Sequence, residues 1–125
     1  MRFLGQVADA PSVVAASDVL VLPSHSEGMP AVLIEAGFSG IPVVATEVGA
    51  VSSIVRDGET GFLVQRTDDV HIFTDQLVDV LRRALGSPDD VGLAARAHCL
   101  EHFEIEVVAD RWDALLAELG AWDAA

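Results

Sequence analysis

The feature that most constrains this chain is Asp18-Val19-Leu20-Val21-Leu22-Pro23, an apolar run closed by a proline and followed at once by the polar loop Ser24-His25-Ser26-Glu27-Gly28-Met29. A strand with one wet face alternates apolar and polar side chains. A run without that alternation reads as a strand covered on both faces, as in a parallel sheet. Pro30 suits the first turn of a helix, Ala31 to Ser39 continue it, and Gly40 is placed to take the left-handed conformation beyond its end. Strand, loop and helix in that order are the elementary unit of α/β architecture.

The same alternation of types continues along the chain. Upstream, Arg2-Phe3-Leu4 reads as the end of a strand, and Pro11 starts a short helical run from Ser12 to Ser17. Downstream, Pro42-Val43-Val44-Ala45-Thr46 is a short buried strand, Gly49 follows in a loop, Ser52 to Val55 make about one helical turn, and Gly61-Phe62-Leu63-Val64 is a further strand. The period then changes. Asp68 or Asp69 caps a helix whose apolar positions Val70, Phe73, Leu77, Val80, Leu81 and Ala84 follow 3.6-residue spacing. Ser87-Pro88-Asp89-Asp90 signals a helix start leading into Val91 to Phe103, and a last amphipathic helix carries Ile105, Val108, Trp112, Leu115, Leu116 and Leu119 up to Gly120. The expected domain is a single one over 1–125, with an α/β part over about 1–85 and helices over about 88–120.

Composition narrows the function. Seven basic residues, all of them arginine, face twenty acids, for a net charge of −13. So acidic a chain repels phosphate backbones and anionic lipid, which speaks against nucleic-acid and membrane partners. A phosphorylated ligand would need backbone N–H groups, a helix dipole or residues outside the chain to neutralise it. No stretch approaches the ~18 uninterrupted apolar residues of a spanning helix, and Met1-Arg2-Phe3-Leu4-Gly5 opens with no secretory apolar region. Cys99 stands alone, which leaves no disulfide framework and no cysteine zinc site, and a cytoplasmic location is expected.

In open parallel sheets ligands bind at the carboxyl ends of the strands, where the loop Ser24 to Met29 lies. It runs into a helix N-terminus, whose free N–H groups and partial positive charge favour an anion. Eight residues after Glu27, Glu35 is the only charged residue between Pro30 and Ala45. A carboxylate there can accept two hydrogen bonds from a vicinal diol such as a ribose, although two glutamates eight apart are unspecific in a chain with twenty acids.

The segment as a whole is specific. Asp18 to Ala36 closely resembles the signature of the retaining glycosyltransferases of GT-B architecture, also called group 1 glycosyl transferases: a strand ending in Pro-Ser, then Glu-Gly-x-Pro, then Glu-Ala, together the E-x7-E motif. The resemblance continues through Gly40 to Thr46 and Val55 to Val64 and covers about residues 3–119. It implies a Rossmann-like parallel sheet with flanking helices, the carboxy-terminal, donor-binding domain of such an enzyme. Carried over by matching residues, it implies that Glu27 is the catalytic-site glutamate, holding the donor sugar's hydroxyls with the backbone of Gly28, Met29 and Pro30. The N–H groups of Ala31 and Val32 would face the donor phosphates, and Glu35 would bind the nucleotide ribose. It further implies a nucleotide diphosphate sugar as donor, a hexose-type sugar transferred with retention, and no cofactor or required metal.

The departures from the family pattern have consequences of their own. Where the family usually has Gly-Gly and then Glu-Ile-Val, this chain has Gly49-Ala50-Val51-Ser52-Ser53-Ile54-Val55, with Ser53 at the glutamate position. The first two strand–helix units of the family domain, with their Arg and Lys, and the amino-terminal domain have no counterpart, so the expected partners are a missing amino-terminal domain or a complementary chain. In the doubly wound strand order the Val19–Leu22 edge is left open, and either Phe3 and its neighbours collapse onto it or a second copy pairs there. Two other readings remain: a non-catalytic remnant or interaction module of the same fold, and a nucleotide-sugar epimerase or phosphorylase of GT-B architecture. Among the histidines, His25 is either a sugar contact or a loop residue, and His71 is expected to face solvent. His98 and His102, four apart on one helix, are either two metal ligands lacking a third or surface residues. Trp112 and Trp122 read as packing of the last helix, with Trp122 over a surface that the absent domain would supply, and Cys99 as an inert buried thiol.

Overall fold

A computed structural model describes residues 1–87 and 89–120. Along the chain it comprises α1 (Ala10–Ala15), β1 (Leu20–Leu22), α2 (Ala31–Phe38), β2 (Val43–Thr46), α3 (Val51–Ile54), β3 (Phe62–Val64), α4 (Val70–Leu85), α5 (Asp90–Phe103) and α6 (Ile105–Glu118). The three strands form one parallel sheet in the order β1-β2-β3, with Leu20 beside Val43 and Val44 beside Phe62. All four residues of β2 are buried, because it alone has a strand on each side and side chains packed on both faces. Val43 and Ala45 point into a cluster with Val14, Leu33, Ala36, Val51 and Ile54. Val44, from the alternate position, joins Phe62, Val64, Ala84 and Val91 on the other face, against which Phe73, Leu77, Val80 and Leu81 of α4 pack. The α/β expectation and the period change at α4 are therefore both realised.

Local chemistry sets the element boundaries. Asp69 caps α4 by accepting hydrogen bonds from the N–H groups of His71, at 2.9 Å, and Ile72, at 3.1 Å. The first helix starts earlier than its proline suggests, at Ala10, since Asp9 accepts from the Ser12 N–H at 3.2 Å. Gly40 adopts φ 70° just past α2, and its carbonyl approaches α5 so closely that a side chain at Gly92 would collide with it. One turn back, a side chain at Gly37 would fall on the Cys99 sulfur. Glycines on facing helices thus let α2 and α5 lie almost backbone to backbone.

Three expectations are corrected. Arg2-Phe3-Leu4 is not a strand: residues 1–9 form no regular element, and Phe3 is 86% exposed, so it does not cover the β1 edge. Gly5, at φ 64°, turns the chain directly after Leu4, and among the described residues no strand pairs with residues 2–4. The run Asp18–Leu22 is shorter as a strand and not covered on both faces, since β1 is the sheet edge and Val21 is 37% exposed. The apolar stripe of α6 is only partly covered: Val108 and Leu116 are half-buried, whereas Trp112 is 59% exposed and so does not serve as packing. Pro88 and Trp122 lie outside the described residues.

Candidate functional site

The parallel sheet directs all three strands the same way, so the loops after β1, β2 and β3 gather at one end. The loop 23–30 is the longest link between a strand and its helix there, and the loop after β2 braces it. The Ala50 N–H donates to the Gly28 carbonyl at 2.9 Å. Gly49 sits at φ 55°, and its α-carbon faces the Glu27–Gly28 peptide so closely that an added Cβ would overlap the Glu27 carbonyl and lie 2.9 Å from the Gly28 oxygen. The loop after β3 joins through the Glu47 N–H, which donates to the Val64 carbonyl at 2.9 Å, and through the Gln65 amide, which donates to the Glu47 carboxylate.

Each sequence-derived site residue has a definite place on this platform. Glu27 is half-buried in the loop, while Gly28 and Met29 are exposed. An added Cβ at Gly28 would meet nothing within 4 Å, so the space over this peptide is open. Pro30 is buried and is the N-cap of α2, with no side chain hydrogen-bonding to the helix start. A proline at this position offers no side-chain acceptor, and the N–H groups of Ala31 and Val32, in the first turn, have no carbonyl four residues back inside the helix. Glu35 is exposed four residues into α2, ~6 Å along its axis from Ala31, and neither it nor Glu27 takes part in the ion pairs Arg66–Asp68 and Arg82–Asp79. His25 stacks on Phe73 of α4, with ring centroids 6.4 Å apart and planes 24° from parallel, which ties the loop's start to the second sheet face.

The hollows of the surface lie beside this loop or away from it. One, of about 600 Å³, is lined by Asp18, Gly40, Pro42, Gly92 and Arg96, at the amino ends of β1 and β2 and so at the opposite end of the sheet from the loop. A second, of about 520 Å³, is lined by Met29 of the loop with Ser52, Ser53, Arg56, His98, His102, Phe103 and Arg111. His98 is buried, at 7% exposure, which corrects its expectation as a surface residue. Its Nε2 lies 3.3 Å from the Ser53 carbonyl, and its ring meets that of His102 edge to face at 4.5 Å. His102 in turn has its Nδ1 3.2 Å from the Arg111 guanidinium. Each ring is thus committed to a protein partner, and among the described residues no three metal-ligating side chains converge. Cys99 is buried, and burial pushes its thiol above the ordinary 9.0. His71 is exposed, as expected.

Sequence reasoning found the loop, the helix start and both glutamates. It missed the brace: Gly49 was legible only as a loop glycine, although a glycine just past a buried strand is a recurrent sign of close backbone approach. It also missed that Arg56, His98 and Arg111, far apart in sequence, share one groove.

Residues 1–83 match the family model described as Glycosyl transferases group 1. Over 89 residues the chain is 43% identical to the D-inositol 3-phosphate glycosyltransferase of Nocardia farcinica, covering 69% of this chain and 19% of that protein. It superposes on sucrose-phosphate synthase from Thermosynechococcus elongatus with a TM-score of 0.75 and 31% identity, over 87% of this chain and 27% of that one. On Anabaena Alr3699/HepE, solved in complex with UDP and glucose, the TM-score is 0.81 at 25% identity, over 93% of this chain and 31% of that one. The chain therefore spans less than a third of the length of each of these proteins.

Proposed function

This chain belongs to the group 1 glycosyl transferases, and from that premise we propose that its loop 23–30 and α2 form the donor half of a glycosyl-transfer site, binding a nucleotide diphosphate sugar. The observation that carries this is the brace: Gly49 and Ala50 hold the Glu27–Gly28 peptide over a helix start with uncapped N–H groups, and Glu35 stands one turn further on. Glu27 and the backbone of Gly28, Met29 and Pro30 take the sugar hydroxyls. Ala31 and Val32 direct N–H groups at the phosphates, where the helix dipole opposes the repulsion from a chain of charge −13. Glu35 accepts the ribose hydroxyls. That the solved relative Alr3699/HepE holds UDP and glucose supports a nucleotide sugar as ligand.

Within this proposal a hexose-type unit leaves the nucleotide with retention of configuration, and stabilisation of the departing diphosphate supplies most of the rate, with no metal or cofactor. The acceptor is bound by the amino-terminal domain of a whole enzyme or by a complementary chain, so this chain alone forms no glycoside. Among the described residues no helix is long and apolar enough to cross a membrane, and we place the protein in the cytoplasm.

A panel of uridine, guanosine and adenosine diphosphate sugars, each raised to millimolar concentration during thermal unfolding, tests the donor assignment. A ligand at ten times its Kd stabilises the folded state by about 1.4 kcal/mol. One nucleotide class should raise the melting temperature by several degrees, and Glu35→Ala should abolish the rise. No shift with any of them would overturn the assignment.

A further inference from the structure

The last helix, α6, carries an apolar seam that repeats every seven residues. Ile105, Trp112 and its C-cap Leu119 are 77%, 59% and 69% exposed, and Val108 and Leu115 fall between them, the spacing of the two core positions of a heptad. At 3.6 residues per turn these five side chains leave the helix within an arc of ~80°, a strip as narrow as a coiled-coil seam. Of the five, only Val108 is half-buried, and the other four stand exposed. A hollow of about 320 Å³ opens along the strip, lined by Val108, Trp112 and Leu115 together with Phe103 of α5 and Met29.

The flank of the seam is charged in the same rhythm. Glu104, Arg111 and Glu118 each precede one of the three most exposed seam residues. Among the described residues neither Arg111 nor Glu118 is paired with an opposite charge. Arg111 is held by the end of α5, donating to the His102 carbonyl at 3.1 Å and lying 3.2 Å from His102 Nδ1. Those contacts leave three of the five N–H donors of a guanidinium for a carboxylate.

We propose that α6 is an interface for a second copy of this chain, the two helices pairing antiparallel across a two-fold axis. Placing Trp112 opposite Leu115 of the second copy sets Val108 opposite Leu119, and symmetry repeats both layers. The same register brings Arg111 to Glu118 of the second copy, twice per dimer, because antiparallel helices set these flanking positions against each other. A parallel pair would face Arg111 with Leu116 and leave the charges single. The seam is therefore complementary to itself in one orientation.

Size points the same way. An aromatic side chain has ~150–250 Å² to bury, so Trp112, Ile105, Leu115 and Leu119 at their observed exposures make a patch on the order of 500 Å², as large as monomers carry. Two such patches buried together reach ~1,000 Å², the lower bound for a specific interface. The association is accordingly weak and reversible, and at physiological salt, with a screening length of ~8 Å, the charge of −13 on each copy does not forbid it.

Sedimentation equilibrium tests the pairing, in a Val21→Lys background that removes association through the β1 edge. From low micromolar to millimolar concentration the chain should pass from monomer to dimer and no further, since a two-fold interface closes on itself. Trp112→Glu, at an exposed position, should keep the melting temperature and leave a monomer throughout. Glu118→Arg should also keep the fold and weaken the dimer about tenfold, the loss of two exposed ion pairs. Adding Arg111→Glu to Glu118→Arg should restore it. A chain that stays monomeric at millimolar concentration, or a dimer indifferent to Trp112→Glu, would overturn the proposal and leave the seam to a different domain or chain. A dimer that Trp112→Glu abolishes but Glu118→Arg does not weaken would overturn the antiparallel register.

Discussion

Gly49→Ala separates the brace from every other part of the site. The substitution introduces a Cβ at a residue with φ 55°, a conformation that costs an ordinary L-residue about 1–2 kcal/mol. That Cβ would overlap the Glu27 carbonyl and press on the Gly28 oxygen at 2.9 Å, and both neighbours are backbone, which cannot swing aside as a side-chain tip can. The loop must retreat, and the hydrogen bond from Ala50 to Gly28 is lost, at about 0.5–1.5 kcal/mol. The sum is about 2–3 kcal/mol, or roughly 10 °C in melting temperature for a domain of this size. Circular dichroism melts of Gly49→Ala and wild type, at one protein concentration, read this directly. The second half of the expectation is functional: with Glu27 displaced, nucleotide-sugar affinity by calorimetry falls at least tenfold even at temperatures where the variant is fully folded. A variant melting within 2 °C of wild type, with unchanged affinity, would show that the loop after β2 does not position the loop after β1.

Gly28→Ala is the matched contrast, because its Cβ would enter open space: the melting temperature should hold within about 2 °C while donor affinity falls, and loss of stability instead would give this glycine a structural role. Gly92→Ala should lower stability by about 1–3 kcal/mol through its collision with the Gly40 carbonyl, the range for overpacking, despite alanine's better helix propensity; a more stable variant by chemical denaturation would contradict the α2–α5 contact. Burial raises the Cys99 thiol above 9.0, so the neutral form prevails at neutral pH and alkylation by iodoacetamide should be slow until the protein is unfolded; rapid labelling of native protein would show the α2–α5 contact to be open. The β1 edge has unpaired backbone and an exposed Val21, so light scattering should detect concentration-dependent association that Val21→Lys suppresses; a monomer at all concentrations would exclude pairing through this edge.

Much of this protein follows from its residues taken in order. The apolar runs at 18–22 and 42–46 and the glycine-bounded segment at 61–64 specify strands, the spacing from Val70 to Ala84 specifies a helix, and Pro30 and Gly40 mark the limits of α2. These are local properties, decided by side-chain period and by backbone conformations open to proline and glycine alone. The same locality exposed the loop with Glu27 and Glu35, whose relation is set by eight residues of one strand–helix connection. Whether a strand is central or at an edge depends on its neighbours. Val43 to Thr46 and Leu20 to Leu22 look alike as apolar runs, yet the first is buried between two strands and the second borders solvent. The amphipathic stripe of α6 likewise announces a buried face, and only the packing shows that among the described residues it is covered in part, with Val108 and Leu116 half-buried and Trp112 exposed. Contacts between distant loops escape sequence logic for the same reason: Gly49 against Glu27, His25 on Phe73, and Arg56 beside His98 and Arg111 arise because a parallel sheet collects loops at one end and Gly37 and Gly92 let α5 lie close on α2. Composition and period act within a few residues along the chain, whereas the brace and the charged groove are made by residues that meet only once the sheet has formed.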